Sequence, residues 1–402
     1  MTKAEDDLRA RVRQLLAVQD PKDDRMAFLR ARFDAGLAWV HYPVGLGGLD
    51  APRALQSVVD ADLAAAGAPD NEPRRIGIGL GMAAPTILTH GTDEQRQRWL
   101  RSLWTGEQVW CQLFSEPGAG SDLAAVGTRA VRDGSAPDSD WIVSGQKVWT
   151  SQAHQARWAI LVTRSDPNVP KHQGMTYFAL DMSTAGVEVR PLRQLTGEAE
   201  FNEVFLTDVR IPDAHRLGAV GDGWRVAQTT LMNERVAIGG GAVPRESGMI
   251  GAVAGTWRSR PELRTPAAHD ELMRLWVEAE ATRLTGLRLR QQLAAGSPGP
   301  EGSAAKLAFA RLNQEISSFE LDLLGAEGLR YDDWFSGTWR TDRPKSVDFL
   351  GRSPGYRYLR AKGNSIEGGT SEILRNIIAE RVLGLPREIR VDKSVAWKDL
   401  PR

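Results

Sequence analysis

Three short segments contain the residue types that could hold a flat or phosphorylated ligand. The first, FSEPGAGSDL (114–123), concentrates glycine, proline, serine and aspartate directly after an apolar run. Glycines let the backbone approach such a ligand closely, and serine and aspartate supply hydroxyl and turn-forming groups. An isolated segment of this kind is more often an ordinary tight turn, so its interpretation depends on the other two segments.

The second segment is GQKVWTSQAH (145–154), a strand-like run. Alternation along a strand places Trp149 and Ser151 on the same side. Trp149 could therefore stack on a flat ring while Ser151 forms a hydrogen bond with the edge of that ring. The alternative is that Trp149 is a core residue of a β-barrel, and the sequence leaves both interpretations open.

The third segment is NSIEGGTSEILRN (364–376), in which a Gly-Gly turn precedes an amphipathic helix. Thr370 is the expected N-cap of this helix and Glu372 lies in its first turn. A fourth glycine-rich stretch, GIGLGM (77–82), lacks the preceding strand and the spacing of a dinucleotide-binding fingerprint. We expect its glycines to allow close packing of helices.

The elements that position these segments form three blocks. Helical patterns fill residues 1–106, short β-branched and aromatic runs fill 107–222, and long helical patterns return over 223–386. The predicted fold class is therefore α+β, with a helical N-terminal domain, a central β-barrel domain and a C-terminal four-helix bundle. The tail, 387–402, has mixed charge and is expected to be disordered, although docking onto a neighbouring subunit is an alternative.

Composition excludes several classes of protein. The 402 residues contain 51 Lys plus Arg and 51 Asp plus Glu, so no basic surplus is available for a nucleic-acid partner. A charged start and the absence of a long apolar run predict a cytoplasmic protein that does not enter the membrane. The single cysteine, Cys111, excludes an internal disulfide, and six scattered histidines predict no metal site.

The three segments, in this order around a β-domain, resemble the FAD-dependent acyl-CoA dehydrogenase family over about residues 9–386. The resemblance implies this helix, β-barrel and four-helix-bundle fold, with flavin between the last two domains. It also implies that acyl-CoA is the substrate and that an electron-transfer flavoprotein accepts the electrons. The implied cofactor-binding residues are Gln112, Phe114, Ser115, Ser121, Trp149, Ser151, Thr370 and Glu372. Ser121 would also lie near the pantetheine of the substrate.

The family reaction, α,β-dehydrogenation of an acyl-CoA thioester, requires a base for the α-proton. A carboxylate in a dry pocket is a stronger proton acceptor, because desolvation raises its pKa. Glu234, in TLMNERVAIGG, has apolar neighbours on a predicted helix, although a salt-bridged helix residue is the commoner fate of such a glutamate. Glu367, in SIEGGTSE, is the rival candidate.

Alignment with the family pattern favours Glu234. Most members carry the base directly before the Gly-Thr-Ser of the third segment, where this chain has Gly368, so that Glu367 is one residue too early. A minority carry the base on the earlier helix, immediately before an arginine, as Glu234 precedes Arg235. The resemblance therefore implies that Glu234 is the catalytic base and that Arg235 orders the substrate side of the pocket.

The chain departs from the family in the expected second half of the cofactor site. Homomeric members carry Arg-x-x-Phe-Gly after the first long bundle helix, but this chain reads GTWRSRPELRTPAAHDEL. Their Gln-x-x-Gly-Gly-x-Gly pattern appears here as DLLGAEG, with Asp322 and Ala326 replacing Gln and Gly. The departures resemble a subset in which two different chains assemble as α2β2 and act on steroid side-chain acyl-CoA thioesters.

Two alternatives remain open at this stage. One is a homotetrameric dehydrogenase of fatty or branched acyl-CoA, which differs in substrate and assembly. The other is a non-catalytic subunit that holds FAD for a partner, although such a subunit would have no need of a desolvated acid at Glu234. An acyl-CoA oxidase is disfavoured because oxidases resemble longer chains, and a flavin monooxygenase is expected to lack the base.

Overall fold

The computed structural model describes residues 2–239, 244–294, 302–331, 352–387, 389 and 392–401, without the side chains of 234–239 and 293–294. Its chain divides into two compact units. The sheet unit comprises Met1–Arg190, Asn202–Asn233 and Asp392–Arg402. The helical unit comprises Pro191–Phe201 and Glu234–Val391.

The sheet unit begins with five α-helices, which confirm the predicted helical first third. They are α1 (Lys3–Val18), α2 (Arg25–Asp34), α3 (Gln56–Ala65), α4 (Ala84–His90) and α5 (Asp93–Thr105). Side chains cap three of their N-termini: Thr2 and Thr92 form capping boxes, and Asp24 accepts hydrogen bonds from two backbone N–H groups. The cap predicted at Thr92 is therefore confirmed.

The stretch GIGLGM does pack closely, through a π-helical turn over Gly79–Ala83 that leads into α4. Gly79 is buried, and a methyl group added to it would lie 3.3 Å from the Leu103 side chain of α5. A larger residue at position 79 would therefore displace the Leu103 side chain.

Seven strands follow: β1 (Trp110–Leu113), β2 (Arg129–Arg132), β3 (Trp141–Ser151), β4 (Trp158–Arg164), β5 (Met175–Asp181), β6 (Val187–Leu192) and β7 (Phe201–Ile211). They form one curled sheet in the order β1-β4-β2-β3-β7-β6, and β5 pairs with β4. The β1–β4 pair is parallel, whereas β4–β5 and β2–β3 are antiparallel. This sheet confirms the predicted β-domain.

Strands β4 and β5 explain why two runs of the sequence are apolar throughout rather than alternating. Every residue of β4 is buried. Ile160 and Val162 face one hydrophobic core, which also contains residues of α2, α4 and α5. Ala159 and Leu161 face a second core formed within the sheet domain. A strand covered on both faces has no position at which a polar side chain reaches water.

The helical unit confirms the predicted return to helices. Helix α6 (Gly223–Gly239) begins in the sheet unit and ends in the helical unit. The remaining helices are α7 (Met249–Ser259), α8 (Pro266–Ala294), α9 (Gly302–Leu324), α10 (Pro354–Ala361) and α11 (Ser371–Ile377), with a π-helical turn over Ile378–Val382. Residues of α7, α8, α9 and α10 form one core. None of the described helices is long and apolar enough to cross a membrane.

The end of the chain differs from expectation. The prediction of a disordered tail is wrong for residues 392–401, which pack on the sheet unit. Ala396 forms a β-bridge with Pro170, and the Trp397 indole donates a hydrogen bond to the Ala125 carbonyl at 3.1 Å. The mixed charge of the segment led to the prediction of disorder. One aromatic side chain and a few backbone hydrogen bonds are nevertheless enough to hold the segment on the sheet unit.

Two tryptophans of the sheet unit flank the His215 imidazole, and its burial makes the stability of the protein depend on pH. The imidazole packs edge-on against Trp99 and Trp158, with ring centroids 5.6 and 5.3 Å away. Burial, together with the charge of Arg98, lowers the pKa of His215 from 6.5 to about 4. Between these two values the unfolded chain binds more protons than the folded one, so the free energy of unfolding falls as the pH decreases.

We expect His215→Phe to flatten this dependence by up to about 1.4 kcal/mol per pH unit inside that window, because the variant has no imidazole to protonate on unfolding. Urea unfolding of both proteins at several pH values measures the difference. Stability curves that stay parallel from neutral pH to the lower end of the window would contradict the prediction.

Candidate cofactor-binding site

A buried ion pair underlies the first segment in the sheet unit. The Lys147 ammonium, on β3, lies 2.8 Å from Oε1 of Glu116, and both side chains are almost fully withdrawn from solvent. Lys147 also donates to the Phe114 carbonyl at 3.0 Å. Glu116 accepts further hydrogen bonds from the backbone N–H groups of Gly127 and Thr128, at 2.7 and 2.9 Å. One carboxylate thus connects three stretches of chain.

The pair is electrostatically satisfied. Burial alone would raise the pKa of Glu116, but the Lys147 charge and the hydrogen bonds that the carboxylate accepts outweigh burial and hold this pKa below its usual range. The backbone N–H of Val148 donates to the Ser115 carbonyl at 2.9 Å. Strand β3 and the first segment are therefore fixed side by side.

Above this pair the first segment makes a tight turn, as the simpler interpretation predicts. Reciprocal backbone hydrogen bonds of 3.0 Å join Glu116 and Ala119. Gly118, Gly120 and Ser121 are exposed, and a side chain added at either glycine would meet nothing within 4 Å. The turn therefore presents its backbone to the outside of the sheet unit, which leaves room for a ligand.

Trp149 lies beside this turn and is not a core residue. Its side chain is 58% exposed although it lies inside β3. Its φ of +60° is in the left-handed region, which a bulky residue adopts only where the surrounding structure imposes it. The backbone turns at this residue so that the indole leaves the core, whereas Ser151, two residues later, is half-buried.

The remaining candidate residues of the sheet unit lie on β1 and directly after it. Gln112 is half-buried, and its Oε1 atom has no hydrogen-bond partner within the described residues. The Phe114 ring packs edge-to-face on Tyr177, with centroids 5.8 Å apart, and Ser115 is half-buried. Phe114 therefore contributes its side chain to the core, and only its backbone borders the turn.

The helical unit contains the third segment. Thr370 caps α11 by accepting a hydrogen bond from the Ile373 N–H at 3.2 Å, which confirms the predicted cap. The preceding Gly368 and Gly369 have φ of +64° and +96°, which glycine adopts without strain. Lys306, on α9, donates to the Gly369 carbonyl at 2.7 Å and holds this turn. Glu372 is exposed, 3.5 Å from Arg375.

Glu367, the rival base, is engaged in other contacts of the helical unit. Arg360 donates to both of its carboxylate oxygens, at 3.1 and 2.8 Å. Asn364 donates to the same carboxylate at 2.7 Å. These donors occupy the lone pairs of the carboxylate that a base would offer to a substrate. The side chains of Glu234 and Arg235 lie outside the described residues, although both positions belong to α6.

Sequence reasoning missed Glu116, Lys147 and Lys306. The first two lie inside the segments FSEPGAGSDL and GQKVWTSQAH, so a signal existed: an acidic residue directly before a glycine turn and a lysine inside a predicted strand. Their pairing spans 31 residues and depends on how β3 lies beside the turn. Lys306 lies in an ordinary helical pattern and carried no comparable signal.

Each unit, taken by itself, has features that suit a large planar cofactor such as FAD. The sheet unit provides an exposed indole, a buried amide oxygen without a partner and an open glycine turn. An indole face can stack on a flat ring system, and an unpaired amide oxygen can accept a hydrogen bond from the ring edge. The helical unit provides a capped helix start after two glycines.

We expect Lys147→Met to lower the free energy of unfolding by about 3–5 kcal/mol, because it leaves the Glu116 carboxylate buried without its counter-charge. The double variant Glu116→Gln/Lys147→Met should lose less than the sum of the single variants, by roughly 0.5–3 kcal/mol. Urea unfolding measures all three. The exposed Lys22→Met is the control, with an expected change under about 0.5 kcal/mol. Strictly additive losses would contradict the pairing.

Comparison with known proteins follows the same division of the chain. Residues 2–107, 111–209 and 221–383 match the N-terminal, middle and C-terminal domains of acyl-CoA dehydrogenases, respectively. Together these matches include all three segments singled out in the sequence.

Individual proteins are similar over most of the chain. Acyl-CoA dehydrogenase FadE34 of Mycobacterium tuberculosis is 42% identical over 372 residues, which cover 91% of this chain but only 47% of FadE34. Acyl-CoA dehydrogenase IpdE1 of the same organism is 35% identical over 92% of this chain and 90% of IpdE1. The Tcur3481-Tcur3483 steroid ACAD, as its G363A variant, superposes with a TM-score of 0.70 at 25% identity, over 96% of this chain and 99% of that one. The chain belongs to the acyl-CoA dehydrogenase family.

Proposed function

We propose that this chain catalyses FAD-dependent α,β-dehydrogenation of an acyl-CoA thioester. The observation that carries the proposal is the exposed, positive-φ Trp149 on β3, next to the glycine turn that the Glu116–Lys147 pair holds. The Gln112 amide oxygen on β1, which has no hydrogen-bond partner within the described residues, adds to it. Such an arrangement costs stability unless a ligand uses it. An electron-transfer flavoprotein is the proposed electron acceptor. The domain bounds 1–106, 107–222, 223–386 and 387–402 and the cytoplasmic location also remain predictions.

Residues of both units hold the cofactor in this proposal. Trp149 stacks on the ring system, Gln112, Ser115 and Ser151 form hydrogen bonds with its polar edge, and Ser121 lies near the cofactor and the pantetheine. Thr370 and Glu372 contact the cofactor from the start of α11. When bound, FAD supplies the acceptor for the hydride that leaves the β-carbon. The dry, apolar core beside Phe114 limits the access of water to this side.

Glu234 removes the α-proton. The carboxylate takes a proton from the carbon next to the thioester carbonyl, and Arg235 orders the substrate side of the pocket. Thr230, one helical turn earlier on α6, is fully buried, and its hydroxyl lies 2.8 Å from that of Thr86 and 2.9 Å from that of Tyr177. The side chain of Glu234 lies outside the described residues, so its assignment rests on the family pattern, in which a minority of members carry the base immediately before an arginine. The engagement of Glu367 by Arg360 and Asn364 supports the choice of Glu234.

We expect Glu234→Gln to retain flavin but to reduce turnover by roughly 10²- to 10⁴-fold, because the amide cannot accept the α-proton. Glu367→Gln is the matched variant, and it should cost stability through Arg360 while keeping most of the turnover. Flavin absorbance per chain and dye-coupled turnover on a panel of acyl-CoA thioesters measure both properties. A dead Glu367→Gln beside an active Glu234→Gln would reverse the assignment.

The proposed substrate is the CoA thioester of a bulky acyl group, of the steroid side-chain class. Its support is the similarity to a steroid ACAD, together with the sequence departures that resemble the two-chain subset. The same panel tests it, because linear, branched and steroid thioesters differ in shape. Preference for a linear fatty acyl-CoA would favour the homotetrameric alternative.

The proposed assembly contains a second, different chain that supplies the missing cofactor contacts. The arginines in the stretch that replaces Arg-x-x-Phe-Gly are already engaged inside the helical unit. Arg258 donates to Glu246 at 2.8 Å, and Arg260 pairs with Glu262 and Glu327. Arg264 donates to the carbonyls of Trp257 and Arg258. These pairs support a cofactor phosphate contact from elsewhere, which the α2β2 proposal provides.

The chain purified alone should therefore bind FAD substoichiometrically, and co-expression with a second acyl-CoA dehydrogenase-like chain should restore occupancy. Native mass spectrometry and flavin quantitation per chain measure the two states. Full FAD occupancy in a lone homo-oligomer would rule out the two-chain assembly. A lone chain with full occupancy and no turnover on any thioester would favour the FAD-holding alternative.

A further inference from the structure

We propose that the C-terminal segment, Asp392–Pro401, is a positioning element for the loop from Glu116 to Gly127. The segment belongs to the sheet unit, where its backbone bonds to the connection between β4 and β5. The backbone N–H of Trp397 donates to the Val169 carbonyl at 2.9 Å, and that of Lys398 donates to the Pro167 carbonyl at 3.0 Å. The segment is thus docked by main-chain bonds that do not depend on its charge.

The Trp397 side chain connects the segment to the loop. Its indole N–H donates to the Ala125 carbonyl at 3.1 Å. Its ring also covers Gly127, because a methyl group added there would lie 3.6 Å from the ring. Gly127 in turn donates its N–H to Glu116 at 2.7 Å. A short chain of contacts therefore leads from the tail to the carboxylate that anchors the loop.

Arg164 lies beneath the indole and binds the same loop. Its guanidinium is 5.0 Å from the centroid of the Trp397 ring, and the residue is 2% exposed. The guanidinium donates to the carbonyls of Ala124 and Val126, on either side of the residue that Trp397 binds. Three consecutive carbonyls of the loop are thus held by two side chains stacked on each other.

Lys171 adds a charged connection in the middle of the loop. Its ammonium lies 2.6 Å from a carboxylate oxygen of Asp122 and 2.6 Å from one of Asp392. Lys171 is 8% exposed and the Asp122 side chain is 54% exposed, so this bridge lies where the sheet unit meets solvent. Asp122 follows Ser121, which the proposed function places near cofactor and substrate. The tail therefore contacts the loop that presents Ser121 at two points, through Trp397 at Ala125 and through Lys171 at Asp122.

Deletion of residues 392–402 tests the proposal by hydrogen–deuterium exchange of the loop amides, which requires neither flavin nor turnover. We expect exchange over residues 116–128 to become about tenfold faster, because one hydrogen bond and one cation–π contact are lost. Trp397→Ala should reproduce most of this change, whereas Lys398→Ala, an exposed neighbour, should not. A synthetic peptide of residues 392–401 should restore protection, and the same peptide with alanine at Trp397 should not.

Flavin binding provides the second measurement, and it alone rests on the proposed function. With the partner chain present, Trp397→Ala should raise the Kd for FAD about tenfold while leaving kcat at saturating FAD close to that of the unaltered protein. Loop exchange at the unaltered rate after deletion would overturn the proposal. So would equal effects of Trp397→Ala and Lys398→Ala. A loop that loosens without any change in flavin affinity would instead contradict the role proposed for the loop in binding the cofactor.

Discussion

The buried contact between Glu116 and Lys147 is the interaction on which the candidate site depends. A carboxylate inside a protein is stable only if opposite charge and hydrogen-bond donors replace the lost water. Here these come from Lys147 on β3 and from the backbone N–H groups of Gly127 and Thr128, directly before β2. The same pair therefore places the glycine turn beside Trp149, and a site built on a single buried network cannot easily shift in one part alone.

Charged side chains also hold a turn in the helical unit. Arg360 and Asn364 bind Glu367, and Lys306 binds the carbonyls of Asn364 and Gly369. The turn before α11 is therefore held by side-chain donors, because two positive-φ glycines provide no side chains of their own. A glutamate held in this way is suited to fix a backbone, whereas a catalytic base needs a carboxylate whose lone pairs are available to the substrate.

In the sheet unit, a side chain of the docked tail likewise helps to hold a loop. Arg164 and Trp397 stack, and both bind carbonyls of a loop that has few regular backbone bonds of its own. Loops that bind ligands are usually among the less stable parts of a structure. Here two side chains from distant parts of the sequence, Arg164 on β4 and Trp397 in the tail, stabilise the loop. They lie more than two hundred positions apart.

The sequence by itself determined the local features of this protein. Thr92 and Thr370 cap helices as predicted, because a cap depends on residues three or four positions apart. The β-rich middle also followed from runs of β-branched and aromatic residues, and the three segments in order were enough to indicate the family. Each of these signals is contained within a few consecutive residues or in their order along the chain.

Only the tertiary structure decided between the two interpretations of Trp149 that the sequence left open. Trp149 was equally compatible with a core position, and its exposure depends on a backbone φ that the strand imposes from outside the residue. The pairing of Glu116 with Lys147 and the docking of Trp397 join residues far apart in sequence, so no periodicity encodes them. Long-range contacts result from the packing of whole elements, because each partner satisfies the other only after the chain between them has folded.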